Sequence, residues 1–249
     1  MGSYYAGIMN SKYSRELKHH GILGQKWGVK NGPPYPLGSA NEARGMSVAD
    51  FKFIAKKISD EVAKYGNGGP AGNQNCQLCT WAMECQCRGM DVLPRPIYSP
   101  RDPALALDGV DIVKFWRKES MTDLNDVVSK VLNAGDGARF YTHVKWKDGN
   151  GGHEFITANI NGQPVVIDAQ VGTVANIHSK DGKYYFDDID FPKSFMARMD
   201  NKDLNSEILK QNDKSQVVEW DWNKDVPFMK EHGMLSDADL EYAKKYMRT

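Results

Sequence analysis

The chain predicts an α+β fold, with helices first and an antiparallel sheet after them. Three observations carry this. Apolar residues recur at helical spacing over 47–65, and a cap near Asn75 and a stop at Arg88-Gly89 bound a second helix over 76–87. Residues 138–146 alternate in the manner of a strand. Two further strand-like runs, 153–160 and 164–169, are joined by Asn161-Gly162, the strongest short hairpin signal.

The elements follow in order. Ser47 can cap a helix in which Asp50 sits at the third position and Phe51, Ile54, Ala55, Ile58 and Val62 line one face. Gly66-Asn67-Gly68-Gly69-Pro70 stops it by Tyr65. Asn75 or a neighbour caps the second helix, and Arg88-Gly89 ends it. Residues 94–103 are a proline-rich loop, and 123–132 form a helix with Leu124, Val127, Val128 and Val131 on one side. Short strands are expected at 184–186, 195–198 and 217–222, and a last helix at 236–247. No internal repeat is visible. Residues 1–45 differ in kind: Lys12, Arg15, Lys18, Lys26 and Lys30 face only Glu16 and Glu42, and 32–38 is rich in glycine and proline. The expected organisation is an adaptor tail (1–45), a main domain (46–210) and an extension ending in a helix (211–249).

Bulk properties exclude some functions. Lys and Arg together number 32, as do Asp and Glu, so no global charge recruits nucleic acid or an anionic membrane. No apolar run is long enough to span a bilayer. The first residues lack the basic flank and apolar stretch of a secretory signal, so the expectation is a protein made and kept in a reducing cytosol. All four cysteines, Cys76, Cys79, Cys85 and Cys87, fall in one short window. A disulfide scaffold would spread them out, so this clustering indicates free thiols, a reactive thiol or a metal site. The spacing lacks the paired knuckles of a zinc ribbon, and no metal or cofactor is expected.

Three distant residues have the chemistry of a thiol hydrolase: nucleophile, base and orienter. Cys76 opens a helix, where the dipole favours thiolate over thiol and unpaired N–H groups can hold an oxyanion. Cys79, one turn deeper, points into packing but remains the alternative nucleophile. His153 follows two glycines at a strand start. Its competitor His143 lies mid-strand, out of phase with Phe140, Thr142 and Val144, and reads as a satisfied strand histidine. A hairpin turning at Asn161-Gly162 sets Asp168 a diagonal step from His153 on one face of the sheet. Gln170 shares that side and can position substrate or fix the aspartate.

These motifs also carry a resemblance. Asn75-Cys76-Gln77-Leu78-Cys79, then Arg88-Gly89-Met90-Asp91-Val92, then Gly152-His153 and Asp168-Ala169-Gln170-Val171-Gly172, resemble the papain-fold toxin domain of glutamine-deamidase type. Arg198-Met199-Asp200-Asn201 is similar to a segment near that domain's end, and the likeness covers about 66–210. Met90 replaces an aromatic and Ala169 a proline. The resemblance implies a papain-like cysteine hydrolase fold and a toxin or effector that deamidates a protein glutamine. It implies Cys76 as nucleophile, His153 as base and Asp168 as orienter. Asn73, Gln74 and Gln170 are candidates for the oxyanion or substrate contact, and a cognate immunity protein is an implied partner. His19-His20-Gly21-Ile22-Leu23-Gly24-Gln25-Lys26-Trp27-Gly28 resembles a short motif of tailed-phage structural proteins. It implies a phage-encoded protein acting in the host cytoplasm, with residues 1–45 contacting head or virion components. The alternatives are a cysteine peptidase and a virion structural or decoy protein that keeps the shell without catalysis.

Overall fold

The structure is a computed structural model that describes residues 45–65, 75–106, 116–149, 151–202, 204 and 206–232. The tail, including its phage-like motif, and the helix expected at 236–247 lie outside the described residues.

Helix α1 spans Val48–Ala63. Its start is a capping box: Ser47 Oγ accepts the Asp50 N–H at 3.3 Å, and the Asp50 carboxylate accepts the Ser47 N–H at 2.7 Å. Phe51, Ala55, Ile58 and Val62 form its buried stripe. Helix α2, Cys76–Cys87, is different: ten of its twelve residues are buried. A helix buried almost all round is the centre of the domain rather than its cover. It ends in a Schellman motif. Gly89, at φ 77°, donates to Gln86 O, and Met90 N donates to Cys85 O. Met90 then packs on Cys85.

After a short helix α3 (Pro103–Ala106) come β1 (Lys118–Ser120), helix α4 (Leu124–Asn133), β2 (Arg139–Lys145), β3 (Gly152–Ile160), β4 (Gln163–Asp168) and β5 (Thr173–Asn176). Helix α5 (Lys180–Tyr184), β6 (Phe195–Arg198), α6 (Ser206–Gln211) and α7 (Trp222–Glu231) follow. The six strands form one antiparallel sheet in the order β1-β6-β2-β3-β4-β5. Asn161 and Gly162, at φ 53° and 77°, make the two-residue hairpin turn and fix its register, pairing Ile160 with Gln163 and Ile156 with Ile167.

The register sorts the side chains into two cores. One face carries Tyr141, Ile156, Ala158, Val165 and Ile167 against α1 and α2, with Trp81 stacked on Tyr141 at 5.0 Å. The other carries Phe140, Val144, Phe155 and Val166 against Val127, Val128 and Val131 of α4 and against Tyr185 and Phe186.

Two expected strands are corrected. Residues 184–186 are not a strand, because Ser179 caps α5 through the Gly182 N–H at 3.1 Å. Residues 217–221 carry no strand, and Trp222 instead opens α7. Residues 211–225 are bonded to the earlier part of the chain. Asn212 Nδ2 donates to Leu78 O, Arg95 Nε to Gln211 O, and Arg101 Nε to Asp225.

Candidate active site

The site lies where the start of α2 meets the first residues of β3. The free edge of β3 matters here: β4 pairs with it only from Ile156 onward, so among the described residues the stretch around His153 and Glu154 has no partner strand on that side. Strand alternation sends consecutive side chains to opposite faces. His153 and Glu154 therefore divide the site between the two layers.

His153 lies on the α4 side. Its ring is 5.8 Å from Phe155 and 6.3 Å from Tyr185, centroid to centroid. His153 Nε2 is 2.8 Å from Asp168 Oδ2, which also accepts the Tyr185 hydroxyl at 3.1 Å. The other Asp168 oxygen accepts the Gln170 N–H at 3.0 Å. Burial pulls the imidazole pKa down, but the hydrogen bond and charge of Asp168 outweigh it, and the net shift is upward. The diagonal relation of His153 to Asp168 expected from the hairpin is the relation observed.

Glu154 lies on the α2 side and meets Cys76 there. The Cys76 thiol donates to Glu154 Oε2 at 2.6 Å. The other carboxylate oxygen accepts the Nδ1–H of His143 at 2.8 Å, since an ionised carboxylate can only accept. The register pairs His143 directly with Glu154 across β2 and β3. His143 is buried and stacks on Phe195 at 5.0 Å.

The expectation that the helix start sharpens Cys76 is corrected by this contact. Burial pushes the thiol well up, and the Glu154 charge pushes it further, against a smaller pull from the Glu154 backbone N–H. A full negative charge at hydrogen-bond distance outweighs the fractional charge of a helix terminus. Asn75 is the N-cap by position, but its side chain makes no capping bond. Its Oδ1 instead accepts from Gln170 Nε2 at 3.1 Å, and its buried Nδ2 has no hydrogen-bond partner among the described residues. A continuous polar chain thus runs from His153 through Asp168 and Gln170 to Asn75, the residue before Cys76.

The structure brings His153, Asp168, Gln170 and Asn75 together, and separately Cys76, Glu154 and His143. No hydrogen bond joins Cys76 to His153 among the described residues. Cys76 is the partly exposed cysteine, whereas Cys79, Cys85 and Cys87 are buried. Cys79 sits in the α1–α2 core, where burial and then the Asp168 charge push its thiol well up. Asn73 and Gln74 lie outside the described residues. Among the described residues, no group of three or more His, Cys, Asp or Glu side chains is placed to hold a metal ion.

Sequence reasoning passed over Glu154, the nearest partner of the thiol. The signal was present: it follows His153, so alternation puts it on the other face, the one that α2 covers.

Residues 74–173 match a known family. That family is described as Papain fold toxin 1, glutamine deamidase. The match takes in Asn75, Cys76, Cys79, His143, His153, Glu154, Asp168 and Gln170. The fold is the papain-like α+β fold. At the level of the family, the match supports a toxin or deamidase function and an amidohydrolase activity. No curated protein and no solved structure matches the chain.

Proposed function

We propose that this protein is a cysteine amidohydrolase that converts a glutamine side chain of a target protein to glutamate, as a toxin or effector acting in the cytoplasm of a cell. Cys76 is the nucleophile, His153 the base and Asp168 the residue that orients the base. The observation that carries this reading is the His153–Asp168 bond at 2.8 Å. It occupies Nε2, leaves Nδ1 to receive a proton, and lies at the open edge of β3, one residue from the strand position that contacts the Cys76 sulfur.

The thiol leaves Glu154 and passes its proton to His153 Nδ1, and the thiolate attacks the carboxamide carbon. Donors at the start of α2, with Asn75 Nδ2 beside them, face the developing oxyanion. The C–N bond breaks, the imidazolium supplies the proton that ammonia carries away, and a thioester remains on Cys76. Water, deprotonated by His153, hydrolyses it, releasing glutamate and restoring the thiol.

The test is expression in sensitive cells of the wild type, Cys76→Ala and His153→Asn, followed by peptide mapping of the cell proteins. Wild-type-only glutamine sites that gain about 1 Da, lost in both variants, support the reading. New peptide termini in place of such sites would make the protein a peptidase. The same cell phenotype from all three forms would fit a virion structural protein without catalysis.

A further inference from the structure

We propose that Glu154, fixed by His143, is a positioning residue that holds the Cys76 thiol protonated in the resting site. This rests on the reading of Cys76 as nucleophile but concerns how its sulfur is kept before substrate arrives.

Glu154 is 8% exposed, so its carboxylate needs partners inside the protein. It has two, one on each oxygen: the Nδ1–H of His143 at 2.8 Å and the thiol of Cys76 at 2.6 Å. Its pKa is lowered: burial raises it, but the His143 hydrogen bond and charge bring it down, and the thiol hydrogen bond adds to that. A carboxylate that stays ionised is an acceptor only, so the group donating to it must keep its proton. At Oε1 that group is the His143 ring, and at Oε2 it is the sulfur. In the latched state no proton has moved: carboxylate, imidazole N–H and thiol S–H share one line of two hydrogen bonds.

Among the described residues no cation is hydrogen-bonded to the thiol. From α2 itself, Cys79 faces the same side and is a buried neutral thiol. From β2 comes His143, whose Nδ1–H is turned to Glu154. From β3 comes His153, which acts electrostatically on Glu154 but bonds to Asp168. From β4 comes Asp168, whose charge acts on the neighbouring Cys79. On β6, Phe195 stacks on His143, and Lys118 of β1 lies over that Phe195 ring, 4.7 Å from its centroid. The latch opens when the sulfur turns from Glu154 towards His153 at the free edge of β3. A substrate amide that takes up the Glu154 carboxylate as its own acceptor would drive that turn. A toxin whose nucleophile is masked in this way resists adventitious alkylation and oxidation until its target is bound.

The experiment is the pH profile of iodoacetamide alkylation at Cys76, read by peptide mass spectrometry, for wild type, Glu154→Gln and His143→Asn. It needs no substrate, so its outcome stands apart from whether the protein is a deamidase. In Glu154→Gln the profile shifts to lower pH by about one unit, and labelling at neutral pH rises about tenfold. In His143→Asn the carboxylate remains beside the sulfur, and the profile does not shift to lower pH. An unchanged profile in folded Glu154→Gln overturns the proposal. So does a shift to lower pH in His143→Asn as large as that in Glu154→Gln. A second measurement serves if Glu154→Gln does not fold: the infrared S–H stretching band of the wild type that disappears in Cys76→Ala. A band displaced to low frequency, as for a thiol bonded to a carboxylate, supports the latch; a band at the position of a thiol without a partner overturns it.

Discussion

Two buried glutamates lie at opposite ends of α2, and they are held in opposite ways. Glu84, at the far end, faces two guanidinium groups: Arg88 Nε at 2.7 Å, and Arg139 through Nε at 2.7 Å and Nη2 at 2.9 Å. Glu154, under the first turn, faces an imidazole and a thiol. Burial opposes ionisation of both, and in both the partners win, so both pKa values are lowered. The partners of Glu84 are permanent cations, and Arg88 is in turn anchored on the Met199 and Lys202 carbonyls. Those of Glu154 can both gain or lose a proton. The difference separates scaffold from chemistry. A carboxylate matched by guanidinium stays in one state and ties α2 to β2. One matched by titratable groups can change partners during a reaction.

The comparison breaks most visibly at Arg139. Arg139→Leu leaves the Glu84 charge half-compensated in a dry site, and we expect a loss of about 3–5 kcal/mol of folding stability by denaturant titration. A loss near zero would mean that Glu84 is not the scaffold described. Next in size is Asp168→Asn, which keeps the shape and removes the charge that holds the His153 tautomer. Deamidation should fall by about 100-fold or more. Because Asp168 is what raises the His153 pKa, the acid limb of any residual activity should move to lower pH.

Glu154→Gln should cost little stability, about 1 kcal/mol, because the amide keeps its shape and can still bond to both neighbours. A loss as large as that of Arg139→Leu would erase the contrast between the two glutamates. The smallest effect is in the pH dependence of stability. Both glutamates are lowered, so each contributes stability above its ordinary carboxylate pKa and loses it as pH falls through the folded value. His153 is raised, so its contribution is complete below the ordinary imidazole pKa and is lost as pH rises through the folded value. Thermal melts across pH should therefore show the alkaline decline reduced in His153→Gln and the acid decline reduced in Glu154→Gln.

Much of this was legible in the residues. Ser47 with Asp50, Asn161-Gly162 and the glycine after Arg88 are local signals whose geometry is set within a few residues. The elements they bound came out as read. The hairpin also gave the His153–Asp168 pair, since a two-residue turn admits one register. The connection between β2 and β3 is longer, and Gly149 and Gly151 within it leave the register open to sequence reading. That is why His143 was correctly turned away from Phe140 and Val144 yet could not be matched to Glu154. Strand β1, three residues long, and β5, four residues long, carry too little pattern to be read. Tyr184 and Tyr185 have strand propensity, but Ser179 and its cap bring that segment into a helix turn. In the Glu84–Arg88–Arg139 network the i,i+4 pair of Glu84 and Arg88 is a local pattern on α2, but Arg139 joins it from far along the chain and has no local signature.

The most direct test of the central claim uses a peptide in which a diazoketone replaces the carboxamide of glutamine, so that a nucleophile trained on that position becomes alkylated. Intact-mass and peptide mapping should then show one adduct per chain, on Cys76, abolished by His153→Asn. Adducts spread over the cysteines, or a Cys76 adduct indifferent to His153, would contradict the account.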